Sequence, residues 1–181
     1  MTKFICVLAL SLSLASCNTK EKKLIDMVNT WNGKNITLPN YLEADSTYQD
    51  SIWYSLATKD FKILTIIDSN ECTECRLKLF NWKLFIEEID TLNTNVAFLF
   101  IISPQKGNDI MSLKRKNKFH YPIFYDDQRQ IMKKNDFPTN PLFKTFLLDK
   151  NNKVLIIGDP SNKPPLWNLY KQIITNKHDT E

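Results

Sequence analysis

The sequence predicts an α/β fold. Its central mixed sheet has parallel early strands and a late antiparallel hairpin, with helices on both faces. Three observations predict it. Two compact apolar runs, Lys62 to Ile67 and Val96 to Ile102, lack polar alternation, the pattern of strands covered on both sides. Amphipathic helical patterns separate the early strands and act as crossovers, which make successive strands parallel. Late in the chain, Phe146 to Asp149 and Val154 to Ile157 flank Lys150-Asn151-Asn152-Lys153, whose turn-forming residues predict a hairpin.

The elements follow in order. Leu24, Ile25, Met27, Val28 and Trp31 predict a short amphipathic helix stopped at Gly33. Ile36 to Leu38 predicts a short strand, and Ile52, Trp53, Tyr54 and Leu56 fit either a helix or an edge segment. After the strand at 62–67 a long helix is expected. Cys75, Leu79, Trp82, Ile86 and Ile89 recur at helical spacing, and Arg76, Lys78, Lys83, Glu87 and Asp90 fall largely between them. Ser69 or Asn70 can cap its start. Asp109 caps a helix reaching Lys118, Tyr121 to Tyr125 is a strand, and Gln128 to Lys134 is a short helix. Pro164-Pro165 opens a closing helix whose stripe is Leu166, Leu169, Tyr170, Ile173 and Ile174. Trp31, Trp53, Trp82 and Trp167 read as packing residues.

The chain has 181 residues, 43% hydrophobic and 12% aromatic, enough for one buried core and too apolar for extended disorder. Lys and Arg number 24 against 20 Asp and Glu. The resulting charge of +4 is spread along the chain, so no nucleic-acid partner is expected. The basic cluster Lys114-Arg115-Lys116 with Lys118 reads as a solvated helix face. No apolar run reaches the roughly 20 residues of a membrane-spanning helix.

Residues 1–16 read as a secretory signal: Lys3, then the apolar stretch Phe4 to Leu14, then small residues. Leu14-Ala15-Ser16-Cys17 resembles a bacterial lipobox. That resemblance implies a diacylglyceryl group on the Cys17 thiol, cleavage before Cys17, and acylation of its amine. Acyl chains on Cys17 would hold the chain on a membrane, on the periplasmic side of the cell envelope, where disulfides persist. Cys6 is then discarded and Cys17 lipidated, which leaves Cys72 and Cys75 as a lone C-x-x-C pair.

Cys72-Thr73-Glu74-Cys75 stands between a predicted strand and a predicted helix. Thiol–disulfide exchange needs an attacking thiolate and a neighbour that resolves the mixed disulfide. A cysteine at a helix amino end meets unsatisfied N–H groups and the positive end of the macrodipole, which favour the thiolate. Cys72 is therefore the expected nucleophile. Cys75, at the head of the apolar stripe, is the expected buried resolving thiol. Glu71 and Glu74 add negative charge beside the pair, with Thr73 between the cysteines. Taken as exposed carboxylates, they should raise the Cys72 pKa and make the pair more reducing. Ordinary helix amino-end charge is the other reading of these two glutamates.

These residues resemble the thioredoxin superfamily, specifically membrane-anchored redoxin-like (TlpA-type) lipoproteins of bacteria. The resemblance spans roughly residues 60–175. It is carried by Ile63-Leu64-Thr65-Ile66-Ile67 before the C-x-x-C, by Tyr121-Pro122-Ile123-Phe124-Tyr125-Asp126-Asp127, and by Thr145-Phe146-Leu147-Leu148-Asp149 before the hairpin turn. It implies a thioredoxin-like domain over 61–176, a lipidated tether over 17–23, and an extension over 24–60 packed on the domain. It also implies reversible dithiol–disulfide chemistry at Cys72 and Cys75, without cofactor or metal. The partners implied are envelope proteins carrying disulfides and a membrane redox donor that recycles the pair. One departure stands out. The family places a cis-proline just before the hairpin's first strand, where this chain has Phe143, with Pro141 and Pro138 further upstream.

Three other readings are weaker. A C-x-x-C bridge closes too small a loop to add much stability by itself. A zinc site wants four ligands, and beyond the two cysteines only His120 is at hand. A peroxidase motif is half matched, by Ser69 but not by Thr65. The competing class is a redox-inactive binding or scaffold lipoprotein with the same fold, favoured by the missing proline.

Overall fold

The computed structural model describes residues 21–45, 48–49, 51–103 and 109–176. The expected signal segment, residues 1–16, and Cys17 lie outside the described residues. In chain order the elements are α1 (21–31), β1 (Glu43–Ala44), α2 (Ile52–Ala57), β2 (Phe61–Ile67), α3 (Thr73–Leu77), α4 (Leu79–Asp90), β3 (Val96–Ile102), α5 (Ile110–Asn117), β4 (Ile123–Tyr125), α6 (Gln130–Lys134), a 3-10 turn (Pro141–Phe143), β5 (Thr145–Leu148), β6 (Val154–Ile157) and α7 (Pro164–Asn176).

The two apolar runs form the centre of the sheet. β2 and β3 pair in parallel from Phe61↔Val96 to Ile67↔Ile102. β4 continues the parallel half beside β3, and β5 and β6 add the antiparallel half beside β2. Among the described residues the strand order is β1-β4-β3-β2-β5-β6. The expected mixed sheet with its late hairpin is therefore present. Asn152 takes the left-handed conformation (φ 63°) that lets the hairpin turn close.

Side chains of β2 alternate between two cores, as strand geometry requires. Leu64 and Ile66 join Trp31 of α1, Trp53 of α2 and Ile131 of α6 on one face. Ile63 and Ile67 join Trp82 of α4, Ile110 of α5 and Tyr170 of α7 on the other. All four tryptophans are buried. Tyr121 is also enclosed, and burial pushes its phenol up to about 12; its oxygen accepts a hydrogen bond from the Phe98 N–H at 3.1 Å.

Several expectations need correction. Residues 36–38 form no strand; just before them, Asn35 makes an isolated bridge to Lys153. The ambiguous stretch resolves as α2, whose Trp53 stacks edge-on against Phe124 at 4.9 Å. The short strand β1 was not foreseen. Lys114 is not on a solvated face: it is 4% exposed, and its Nζ lies 2.6 Å from the equally buried Asp45 carboxylate. Asp45 also accepts the Ile123 N–H at 3.0 Å, so this pair ties β1 to α5 and β4. Periodicity could not reveal it, because β1 brings the counter-ion from far away in sequence.

Candidate active site

The site is built at the carboxyl end of β2. There Asp68 turns the chain: its backbone carbonyl accepts from the Glu71 N–H at 3.0 Å, and its carboxylate from the Ser69 N–H at 2.7 Å. The Asp68 carboxylate also holds Arg129 at 2.7 Å. This turn delivers Cys72 to the N-cap position of α3. Cys72, rather than the expected Ser69 or Asn70, is the cap: its backbone is extended (φ −65°, ψ 105°) and its Sγ accepts the Cys75 N–H at 3.3 Å. Cys72 and Cys75 are joined by a disulfide, with Cα atoms 5.3 Å apart.

The long helix expected here is two helices. Five-residue α3 ends at Lys78, whose left-handed backbone (φ 43°, ψ 48°) starts α4 on a new axis. The break resets the helical phase. Leu79, Trp82 and Ile89 are buried as the stripe required, but Cys75 falls off it. Cys75 is exposed, as Cys72 is, and Thr73 is the residue that turns into the protein. The picture of one wet and one sheltered sulfur is therefore wrong for the disulfide form.

A non-glycine residue in the left-handed region is unfavourable unless its surroundings hold it. Lys78 is held by its ammonium, 3.0 Å from Asp159 and 2.9 Å from the Ser161 hydroxyl. Burial of Asp159 pushes its carboxyl up, but hydrogen bonds from Ser161 and Lys78 win and leave it below the ordinary range. Asn81 completes the clamp through the Ser161 carbonyl, 2.6 Å away. The break is thus fastened to the loop between β6 and α7.

The two glutamates sit differently from each other. Glu74 is exposed and faces Lys116 at 3.2 Å. Glu71 is not exposed. Its side chain is 8% accessible, with Lys144 at 2.5 Å on one carboxylate oxygen and Arg76 at 3.3 Å on the other. The argument that Glu71 burdens the thiolate with uncompensated charge therefore fails. Sequence reasoning missed Lys144 and Arg76. The sequence alone assigns Lys144 no role, and its approach to Glu71 depends on β5 pairing beside β2.

Phe143, at the position where the resemblance leads one to expect a cis-proline, closes the 3-10 turn before β5. No cis peptide bond occurs among the described residues. Arg76 donates to the Pro141 carbonyl of that turn, which fastens it against α3. Beside Glu74, an open cleft lined by Lys78, Phe80, Asn81 and Leu113 runs between α4 and α5. His120 lies outside any metal-type cluster, since no grouping of three or more His, Cys, Asp or Glu suited to a metal ion occurs among the described residues.

No family model matches the sequence, and no curated protein matches it. Solved structures do match in fold. One is described as a thiol:disulfide interchange protein DsbE from Chlorobium tepidum, at 15% identity and TM-score 0.58, covering 80% of this chain and 98% of that one. Another is the thioredoxin domain of a thiol-disulfide oxidoreductase from Bacteroides vulgatus, at 11% identity and TM-score 0.56, covering 79% and 97%. A third is peroxidoxin BcpB from Mycobacterium tuberculosis, at 15% identity and TM-score 0.56, covering 78% and 97%. Together with the sheet order and the C-x-x-C disulfide at the end of β2, these likenesses establish that the chain has a thioredoxin-like fold.

Proposed function

We propose that this protein is a lipid-anchored thiol–disulfide oxidoreductase of the cell envelope. The observation that carries the reading is the solvent-facing Cys72–Cys75 disulfide on the first turn of α3, where a substrate sulfur can reach either atom. The likeness in fold to a thiol:disulfide interchange protein and to a thiol-disulfide oxidoreductase supports it. The lipobox-like Leu14-Ala15-Ser16-Cys17 supports the anchor. No helix among the described residues is long and apolar enough to cross a membrane.

In the reducing direction, the Cys72 thiolate attacks one sulfur of a substrate disulfide. The substrate S–S bond breaks, the other substrate sulfur leaves as a thiolate, and a mixed disulfide forms on Cys72. Cys75, deprotonated, attacks the Cys72 sulfur and displaces the second substrate thiolate. Two electrons pass to the substrate, and the Cys72–Cys75 bond is restored. A membrane dithiol donor then returns two electrons to the pair. The substrates are envelope proteins carrying disulfides.

The test is insulin reduction by the purified chain with dithiothreitol as donor. Wild-type protein should accelerate precipitation of the insulin B chain, and Cys72→Ser should fall to the uncatalysed rate. Equal rates for the two would overturn the enzyme reading. They would favour the second one, a redox-inactive scaffold lipoprotein, for which Phe143 in place of the family's proline is the specific observation.

A further inference from the structure

The exchange chemistry above gives no role to the ion-paired side chains of Glu71 and Arg76, which flank the C-x-x-C in sequence, or to Lys144, which joins them. Glu71 directly precedes Cys72, and Arg76 directly follows Cys75. The Glu71, Arg76 and Lys144 side chains are 8%, 12% and 4% accessible, so all three charges are largely removed from water. Each is also fixed in place. The Arg76 guanidinium donates to the Pro141 carbonyl, and the Lys144 carbonyl accepts the Ile66 N–H of β2 at 2.9 Å. One carboxylate is thus shared by two cations. The other charges around the pair are matched one to one: Glu74 with Lys116, and Asp68 with Arg129. Of these ion pairs among the described residues, the Glu71 group is the one with two cations on one carboxylate, a formal sum of one positive charge.

We infer that the Glu71–Arg76–Lys144 group tunes the redox balance of the pair. Lys144 and Arg76 act as positioning residues that stabilise the thiolate formed when the disulfide opens, and Glu71 holds that effect in check. Reduction by a dithiol breaks the Cys72–Cys75 bond, oxidises the dithiol to its cyclic disulfide, and leaves a thiolate and a thiol. A cation held in place near a thiolate lowers the cost of its charge. A more stable thiolate means a more stable reduced form, and so a more oxidising pair. This is the reverse of what two exposed glutamates would do. The inference rests on the exchange reading only in that the pair must be reducible.

The experiment follows the reduced full-length protein in detergent by thiolate absorbance and by alkylation with iodoacetamide, both against pH. Lys144→Met is expected to lower the thiolate fraction at neutral pH about tenfold, and Glu71→Gln to raise it toward saturation. Lys144→Arg, which keeps the charge, should stay near wild type. Equilibration with glutathione should show Lys144→Met more reducing and Glu71→Gln more oxidising. If Lys144→Met does not fold, Lys144→Arg, expected unchanged, and Glu71→Gln, expected raised, still test the inference. Superimposable titrations for wild type and Glu71→Gln, or a Lys144→Arg curve displaced like that of Lys144→Met, would overturn the inference. Insulin reduction by wild type is scored separately. Its absence would sink the exchange reading, whereas shifted titrations would still uphold the electrostatic one.

Discussion

Changing Cys75 to serine is expected to turn a fleeting intermediate into an isolable adduct. On the proposed exchange reading, the sulfur that resolves the mixed disulfide sits one helical turn from the sulfur that carries it. The Cα atoms are 5.3 Å apart and the two sulfurs are already in bonding geometry. Removing that sulfur leaves only slow attack by outside thiols, and uncatalysed disulfide rearrangement takes minutes to hours. Covalent complexes with reduced-and-scrambled or disulfide-bearing proteins should therefore accumulate. Non-reducing electrophoresis followed by mass spectrometry would locate the bond at Cys72. The result is informative because the structure leaves both sulfurs exposed, so access does not choose the nucleophile. Position does. Cys72 is the N-cap, its Sγ accepts the Cys75 N–H, and it sits at the amino end of α3. Adducts trapped by Cys72→Ser through Cys75, rather than by Cys75→Ser, would reverse the assignment of roles.

Lys114→Met is expected to be the most damaging change away from the site. The Lys114–Asp45 pair is dry, with side chains 5% and 0% accessible and 2.6 Å between the charged atoms. Removing one partner of such a pair leaves a buried charge uncompensated, at a cost of about 3–5 kcal/mol. Asp45 retains the Ile123 N–H, but hydrogen bonds from neutral donors do not replace an ammonium. Urea unfolding should show the midpoint falling with an unchanged slope. Adding Asp45→Asn to Lys114→Met should recover part of the loss, because the stranded charge is gone. A loss below about 1 kcal/mol would mean that water or a rearranged neighbour already satisfies Asp45.

What could be read from the sequence is what depends on local pattern. β3 was bounded residue for residue, because an uninterrupted apolar run has few other uses. Asp109 was read as a cap, and its carboxylate accepts the Ser112 N–H at 2.9 Å. What could not be read depends on contacts between distant segments. The helical stripe from Cys75 to Ile89 looked continuous because a left-handed lysine leaves no mark on hydrophobic spacing. Only the pull of Asp159 and Ser161 on Lys78 shows why the helix breaks there. The same holds for Glu71. Beside a cysteine it reads as one negative charge, and its two cations arrive from within α3 and from the start of β5. The C-x-x-C pair itself was plain in the sequence. The exposure of its second sulfur was not.

The most direct test of the account is a redox titration of the folded protein in glutathione or dithiothreitol buffers, with free thiols counted by alkylation and mass. The account predicts one two-electron transition in which Cys72 and Cys75 open together, at a potential within the range of exchange proteins, about −270 to −120 mV. A bond that stays closed below about −300 mV while the fold remains intact would mark it as structural and would contradict the account.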